Sequence, residues 1–341
     1  MKQLIIERSV ISALRALNYS IQVGGKSKIV ADMSALIEAT SKLPLTNFDY
    51  WEHLIRAEYS EAFARPASPK WMFWSKPMER FTWLDLISGD GYRREKTLRA
   101  LTGAAPNAFF LSLAVRRMND WVPQVREAAR EKLPFIVNAT DPHDAAEALC
   151  IVLSSWHSWG RIEDADKQVL LQIISEGPIA EFLIAQIKYA TSGPMPSLLA
   201  QLGRTAILDD RLEDIAEQSI QPAVRAKAYR SLFEGRITWV EERKWQWTNI
   251  RDGEGGIKEV VSERALKVNT PLHELLRNSA EDRSSIVRRV SAEILIRELA
   301  TMGSIAKELA EKFASDKSSP VAERGQFAIK KLKNVEDVDI S

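Results

Sequence analysis

A Val-Arg pair recurs along this chain inside one small template, and that recurrence constrains the fold more than any other feature. In DWVPQVREAAREKLP (residues 120–134), Val125-Arg126 has Asp120 five positions before the valine and Pro123 two before it. Ala129 follows at +4 and Leu133 at +8. The same arrangement surrounds Val224-Arg225, with Ser219, Pro222, Ala228 and Leu232, and Val287-Arg288, with Asp282, Ser285, Ser291 and Leu295. A degenerate copy at Val321 keeps Asp316, Ser319, Gly325 and Ile329 but has Ala322 in place of the arginine. A weaker start lies at Arg93-Arg94, with Ser88 before it and Leu101 after.

Each position has a physical task. An Asp or Ser at −5 can cap the unpaired N–H groups that open a helix. Proline in the first turn gives up a donor that had no partner there. Residues at 0, +4 and +8 share one helix face, and the small +4 residue lets a second helix approach. The anchors at 125, 224, 287 and 321 are 99, 63 and 34 positions apart, which is three, two and one steps of 33, 31.5 and 34 residues. A period in that range predicts repeated helical hairpins.

The pattern Asp-x-x-Pro-x-Val-Arg-x-x-Ala resembles HEAT repeats. The resemblance is specific at 120–133, good at 219–232 and 282–295, and weak at 88–101 and 316–329. It implies an all-α fold, a right-handed, HEAT-like α-solenoid of antiparallel helix pairs. It also implies that the matching Asp and Arg form ladders between neighbouring units. Asp120 with Arg126, and Asp282 with Arg288, are then structural; Ser219 cannot supply the acid for Arg225.

Organisation follows. Residues 1–84 form a divergent helical N-terminal region, with helical segments near 3–18, 29–41 and 48–64. It ends in the loop RPASPKWMFWSKP, which holds Trp71 and Trp74. Residues 85–335 form the repeat solenoid, and 336–341 a short tail. The template is missing between 134 and 218, although PHDAAEALCIVLSSW, EDADKQVLLQIISE and GPIAEFLIAQIKYA keep helical spacing. An insertion at about 236–262 breaks the rhythm. Within it, KWQWTNIRDGEGGIKEVV predicts a β-hairpin near 244–262: alternating Trp245 and Trp247, a Gly-rich turn, then a second β-tolerant run.

Composition narrows function by exclusion. Lys and Arg total 47 against 46 Asp and Glu, so no global basic field recruits nucleic acid. The single cysteine, Cys150, allows no internal disulfide and suits a reducing, cytoplasmic setting. No run of apolar residues is long enough for a membrane span. Gly24-Gly25-Lys26-Ser27 lacks the upstream glycine of a phosphate-binding loop, because Ser20 holds that place. The 4 histidines form no HExxH pair, so neither a metal nor a cofactor is expected. No G-x-S-x-G elbow is present.

Two candidate binding sets remain. Arg116, Arg117, Arg130 and Lys132, with Trp156, Trp159 and Arg161, could clamp phosphates and stack bases if they lined one groove. Some alkylpurine DNA glycosylases are built from HEAT-like repeats, but no motif transfers residue by residue. The simpler expectation is solvent-facing cations and tryptophans that seal seams. The second set is Trp245 and Trp247, with Trp71 and Trp74, as anchors for a protein or peptide partner. The simpler expectation packs the Trp245/Trp247 face onto the helices, with Ile250 facing the other way. The leading functional expectation is a non-enzymatic interaction scaffold for a protein or peptide. A nucleic-acid-binding or base-excising protein is the alternative.

Overall fold

The computed structural model describes residues 2–23, 32–62 and 81–339. The GGKS stretch and the Trp71/Trp74 loop lie outside the described residues. Among the described residues the fold is mostly helical, 71% helix with sixteen α-helices and one β-hairpin. No single described helix is long and apolar enough to cross a membrane. The chain forms two compact units, Met1–Phe182 and Leu183–Ser341.

In the first unit, α1 (Lys2–Val23) packs on α2 (Ser34–Ser41) and α3 (Phe48–Ala62). Then come α4 (Gly91–Ala100), α5 (Ala108–Arg116), α6 (Pro123–Ala139), α7 (Pro142–Ser155), α8 (Asp164–Ile174) and the start of α9 (Gly177–Tyr189). Helix α4 packs on α6 and α6 on α8, while α5 packs on α7. The N-terminal helices join this stack through polar contacts. Asn107 donates to the Ile37 carbonyl at 3.0 Å and to Thr40 at 2.9 Å, and the Tyr59 hydroxyl donates to Asp85 at 2.7 Å.

The second unit holds α10 (Met195–Leu202), α11 (Leu212–Gln218), α12 (Pro222–Glu234), the hairpin strands β1 (Arg236–Asn249) and β2 (Glu254–Ala265), then α13 (Leu272–Ala280), α14 (Ser285–Glu298), α15 (Ser304–Ala314) and α16 (Ser319–Asp339). Helices pair as α11 with α12, α13 with α14 and α15 with α16, and α12, α14 and α16 pack in succession. Leu276, Leu295, Phe313 and Val321 form part of the shared core.

The template residues occupy matching places. Arg93, Val125, Val224, Val287 and Val321 are each the third residue of their helices, α4, α6, α12, α14 and α16. All four valines are fully buried, as are Leu133 and Leu295 at +8. The +4 residue is small for a visible reason. The Ser291 hydroxyl meets that of Ser279 on α13 at 2.6 Å. A Cβ added to Gly325 would lie 2.1 Å from the Ala314 backbone nitrogen. Helices cross there at van der Waals contact, so any larger side chain has no room.

Between 134 and 218 the three helical segments are α7, α8 and α9, and α10 and α11 lie there as well. The hairpin is longer than the sequence pattern indicates. Gly235 closes α12 in the left-handed region at φ 60°, and β1 begins at the next residue. The strands pair antiparallel from Arg236↔Ala265 to Asn249↔Glu254, with a bulge between Val240 and Glu242.

Candidate functional site

The repeated arginines come first because they set the geometry of the turns. Each donates Nη1 to the backbone carbonyl at the −5 or equivalent position of its own copy. Arg94 reaches Ser88 at 2.7 Å, Arg126 reaches Asp120 at 3.1 Å, Arg225 reaches Ser219 at 2.7 Å and Arg288 reaches Asp282 at 2.8 Å. The rest of each guanidinium turns to an acid farther along the chain. In the first unit Arg94 grips Asp120 through two hydrogen bonds of 2.8 and 2.7 Å, and Arg126 meets Glu163 at 2.9 Å. In the second unit Arg225 grips Asp282 at 2.7 and 2.8 Å, and Arg288 grips Asp316 at 2.6 and 2.9 Å.

This corrects the expected pairing. Asp120 gives Arg126 its carbonyl oxygen, not its carboxylate, and the same holds for Asp282 and Arg288. Arg225, left without an acid in the sequence reading, takes one from the following copy. The same carboxylates tie down their own turns: Asp120 accepts from the Val122 N–H, Asp282 from Ser284 and Asp316 from Ser318. Burial works most strongly on the Asp120 carboxyl, upward, yet the Arg94 bond, the Val122 N–H and the nearby guanidinium charges together hold it below the usual range. The hydrogen bond from Arg288 does the same for Asp316.

The basic and aromatic set does not converge as free cations around open rings. Arg117 is buried rather than solvent-facing, between Glu52 at 2.9 Å and Asp120 at 3.3 Å. Burial draws its guanidinium below the usual value, against the pull of both acids. Arg116 pairs with Asp49 and Glu52, and Arg130 with the buried Asp166 at 2.7 Å. Lys132 donates to the Leu101 carbonyl at 3.4 Å. Trp156 lies in the core, Trp159 is half-buried, and Arg161 is exposed with its backbone N–H on Asn119. Intramolecular carboxylates have taken the charges of Arg116, Arg117 and Arg130 that phosphates would need.

The hairpin presents the opposite case. Its base is fixed. Gln201 donates to the Val240 carbonyl at 3.2 Å, and Arg264 donates to the carbonyls of Gly203 and Thr205, each at 2.6 Å. The Arg204 guanidinium sits 5.3 Å over the Trp239 ring and pairs with Glu241 at 2.9 Å. The buried Ile237 presses against Gly203 so closely that a Cβ there would be 2.2 Å from its methyl.

Beyond the bulge the arm leaves that support. From Arg243 to Thr248 every side chain is exposed. The register puts Val240, Arg243, Trp245 and Trp247 on one face with Val261, Glu259, Ile257 and Gly255. On that face Trp245 is 54%, Trp247 55%, Ile257 68% and Val261 58% exposed. This overturns the simpler expectation of burial: the packing contacts stop at the base, and the Trp face extends past them. The indoles meet edge-on, with centroids 5.6 Å apart. The Trp245 ring covers Gly255, where a Cβ would come within 2.8 Å of it. Arg243 and Glu259 pair at 2.8 Å and cancel the charge of the face. Ile250 lies in the turn, not on the opposite face of a strand, and Gly253 closes that turn at φ 70°. Ile257 and Val261 escape a reading of the sequence by runs. Their signal is the alternation Ile257, Glu259, Val261, which aligns with the tryptophans only once the register is known.

One mixed group of possible metal ligands exists among the described residues. His143, Asp144 and Glu147, at the start of α7, bring one ligand atom each within 4.8 Å of one another. Burial raises both carboxyls above their usual range, Asp141 adds to this for Asp144, and Asp144 does so for Glu147. No family model matches this chain, nor does any curated protein or solved structure.

Proposed function

We propose that this chain is a non-enzymatic interaction scaffold: a HEAT-like α-solenoid whose hairpin arm docks a protein partner. One observation carries the reading. Four large apolar side chains, Trp245, Trp247, Ile257 and Val261, stand more than half exposed on one face of an arm anchored only at its base. Soluble proteins seldom leave such a patch uncovered, and tryptophan is enriched where binding energy concentrates. The repeated arginine-to-acid contacts support the HEAT-like part of the proposal, since they link successive helical hairpins as solenoid units require. The lone cysteine, which has no second cysteine to pair with, suits a cytoplasmic location.

The test compares the purified chain with a Trp245→Ser/Trp247→Ser double variant as bait in native extract. A partner that binds the first and not the second, and that binds again when purified and recombined, supports the proposal. Equal recovery on both baits removes the arm from it.

A further inference from the structure

We infer that the exposed face of the hairpin arm is covered by the same face of a second copy of this chain. The inference rests on the docking reading above and names the occupant.

Three observations select a second copy. The first is mechanical. An isolated two-stranded hairpin is marginally stable in water and needs a second layer. The base has one, through Ile237, Trp239 and Arg264, but the segment paired from Arg243↔Glu259 to Trp247↔Gly255 has none. Two such faces, stacked at the ordinary sheet spacing of about 10 Å, supply it to each other.

The second is charge. The ion pairs on the face, Arg243 with Glu259 and, at its base, Arg236 with Glu263, are each internally balanced. A neutral face gives no grip to a phosphate backbone or an anionic membrane, and it meets an identical neutral face without repulsion. An isologous contact of this kind is the commonest way for a chain to pair with itself.

The third is area. At about 200 Å² for a large side chain, the four exposed residues offer on the order of 450 Å² of apolar surface. Two copies then bury roughly 900 Å² from these residues alone, and the strands around them carry the contact to about the 1,000 Å² that a specific interface needs. A short peptide laid across a flat two-stranded face covers much less.

Sedimentation of the purified full-length chain over a concentration series tests this. The inference expects monomer and dimer exchanging with concentration, from about 1 μM to several hundred μM. Trp245→Ser and Ile257→Lys should each weaken the dimer at least thirtyfold, the change a single hot-spot residue makes. Unchanged far-ultraviolet circular dichroism confirms that both variants fold. Lys258→Glu, on the opposite face, should leave dimerisation as it was. A monomer at every concentration overturns the inference, and so does a dimer that survives both face substitutions. The docking proposal stands apart from those outcomes. It falls only if the double variant keeps every partner of the native bait.

Discussion

Arg225 in α12 holds the carboxylate of Asp282 through Nε and Nη2, at 2.7 and 2.8 Å, across 57 positions of sequence. Arg288, the equivalent residue of the next copy, holds Asp316 in the same two-pronged way across 28 positions. The difference in sequence separation is the hairpin, whose 236–265 span lies between the first pair and not the second. The contact is conserved in geometry while the chain between its ends doubles in length. The arm has therefore been accommodated without disturbing the helix-to-helix link beside it.

Arg225 is fully buried and Asp282 nearly so, so removing one partner strands the other. Arg225→Met should destabilise the second unit by about 3 to 5 kcal/mol, the usual cost of an orphaned buried charge. Asp282→Asn should cost a comparable amount. Its amide oxygen can accept from Arg225 Nη2 and the Ser284 N–H. The amide nitrogen, a donor, faces the Arg225 Nε–H, and the buried guanidinium loses its counter-charge. The two losses should not add in the double variant, since each removes the same interaction. Chemical denaturation of the four proteins measures the coupling, and additive losses would contradict the pairing.

How far such contacts can be read from sequence depends on what carries them. The Val-Arg spacing places the anchors at the third residue of their helices because helical periodicity and capping are local. The acid partner is not local. Nothing in the residues around Arg225 points past a thirty-residue arm to Asp282. For Arg126 and Arg130 the acids come from α8, where Glu163 and Asp166 also form a capping box, and that helix lacks the template. The exposure of Trp245 and Trp247 was equally hidden, since alternation tells which side chains share a face but not whether another layer covers it.

The Arg288–Asp316 pair should give stability a defined acid dependence. The Arg288 hydrogen bond depresses the Asp316 pKa below its ordinary 3.8 in the folded chain. The stabilisation is thus fully present above that unfolded value and is lost as pH falls through the lower folded one. At pH 6, Asp316→Asn should lower the melting temperature by about 2 to 4 °C. As pH falls below 3.8 the gap should narrow progressively. Melting curves across that range check it, and a gap that persists or widens in acid is the contrary result.

Glu147 predicts the reverse sign. Burial, with help from Asp144 and against His143, raises its carboxyl above the ordinary 4.5. Ionisation therefore costs more in the folded state than in the unfolded one. The penalty is complete above the folded pKa and disappears below the unfolded one. Glu147→Gln should raise the melting temperature by about 1 to 3 °C at pH 7 and leave it unchanged near pH 4. If a divalent cation occupies the His143, Asp144 and Glu147 group, the order inverts. Zinc or manganese added at neutral pH would then stabilise the native chain and not the variant.

Gly325 gives the sharpest check on how closely the repeats pack. It is the +4 residue of the last copy, in the interior of α16, where intrinsic propensity favours alanine by about 1 kcal/mol. Yet a Cβ there would lie 2.1 Å from the Ala314 nitrogen and 2.5 Å from the Phe313 carbonyl carbon, both of them backbone atoms of α15. A side chain could rotate out of the way, but a backbone moves only if its helix does. Gly325→Ala should therefore destabilise the second unit by about 1 to 3 kcal/mol net of the propensity gain. Gly160 serves as the comparison, because a Cβ there has no neighbour within 4 Å. Gly160→Ala should leave the melting temperature within about 1 °C of the native value, as surface substitutions usually do. Equal effects from the two substitutions would mean that α15 and α16 do not cross at Gly325.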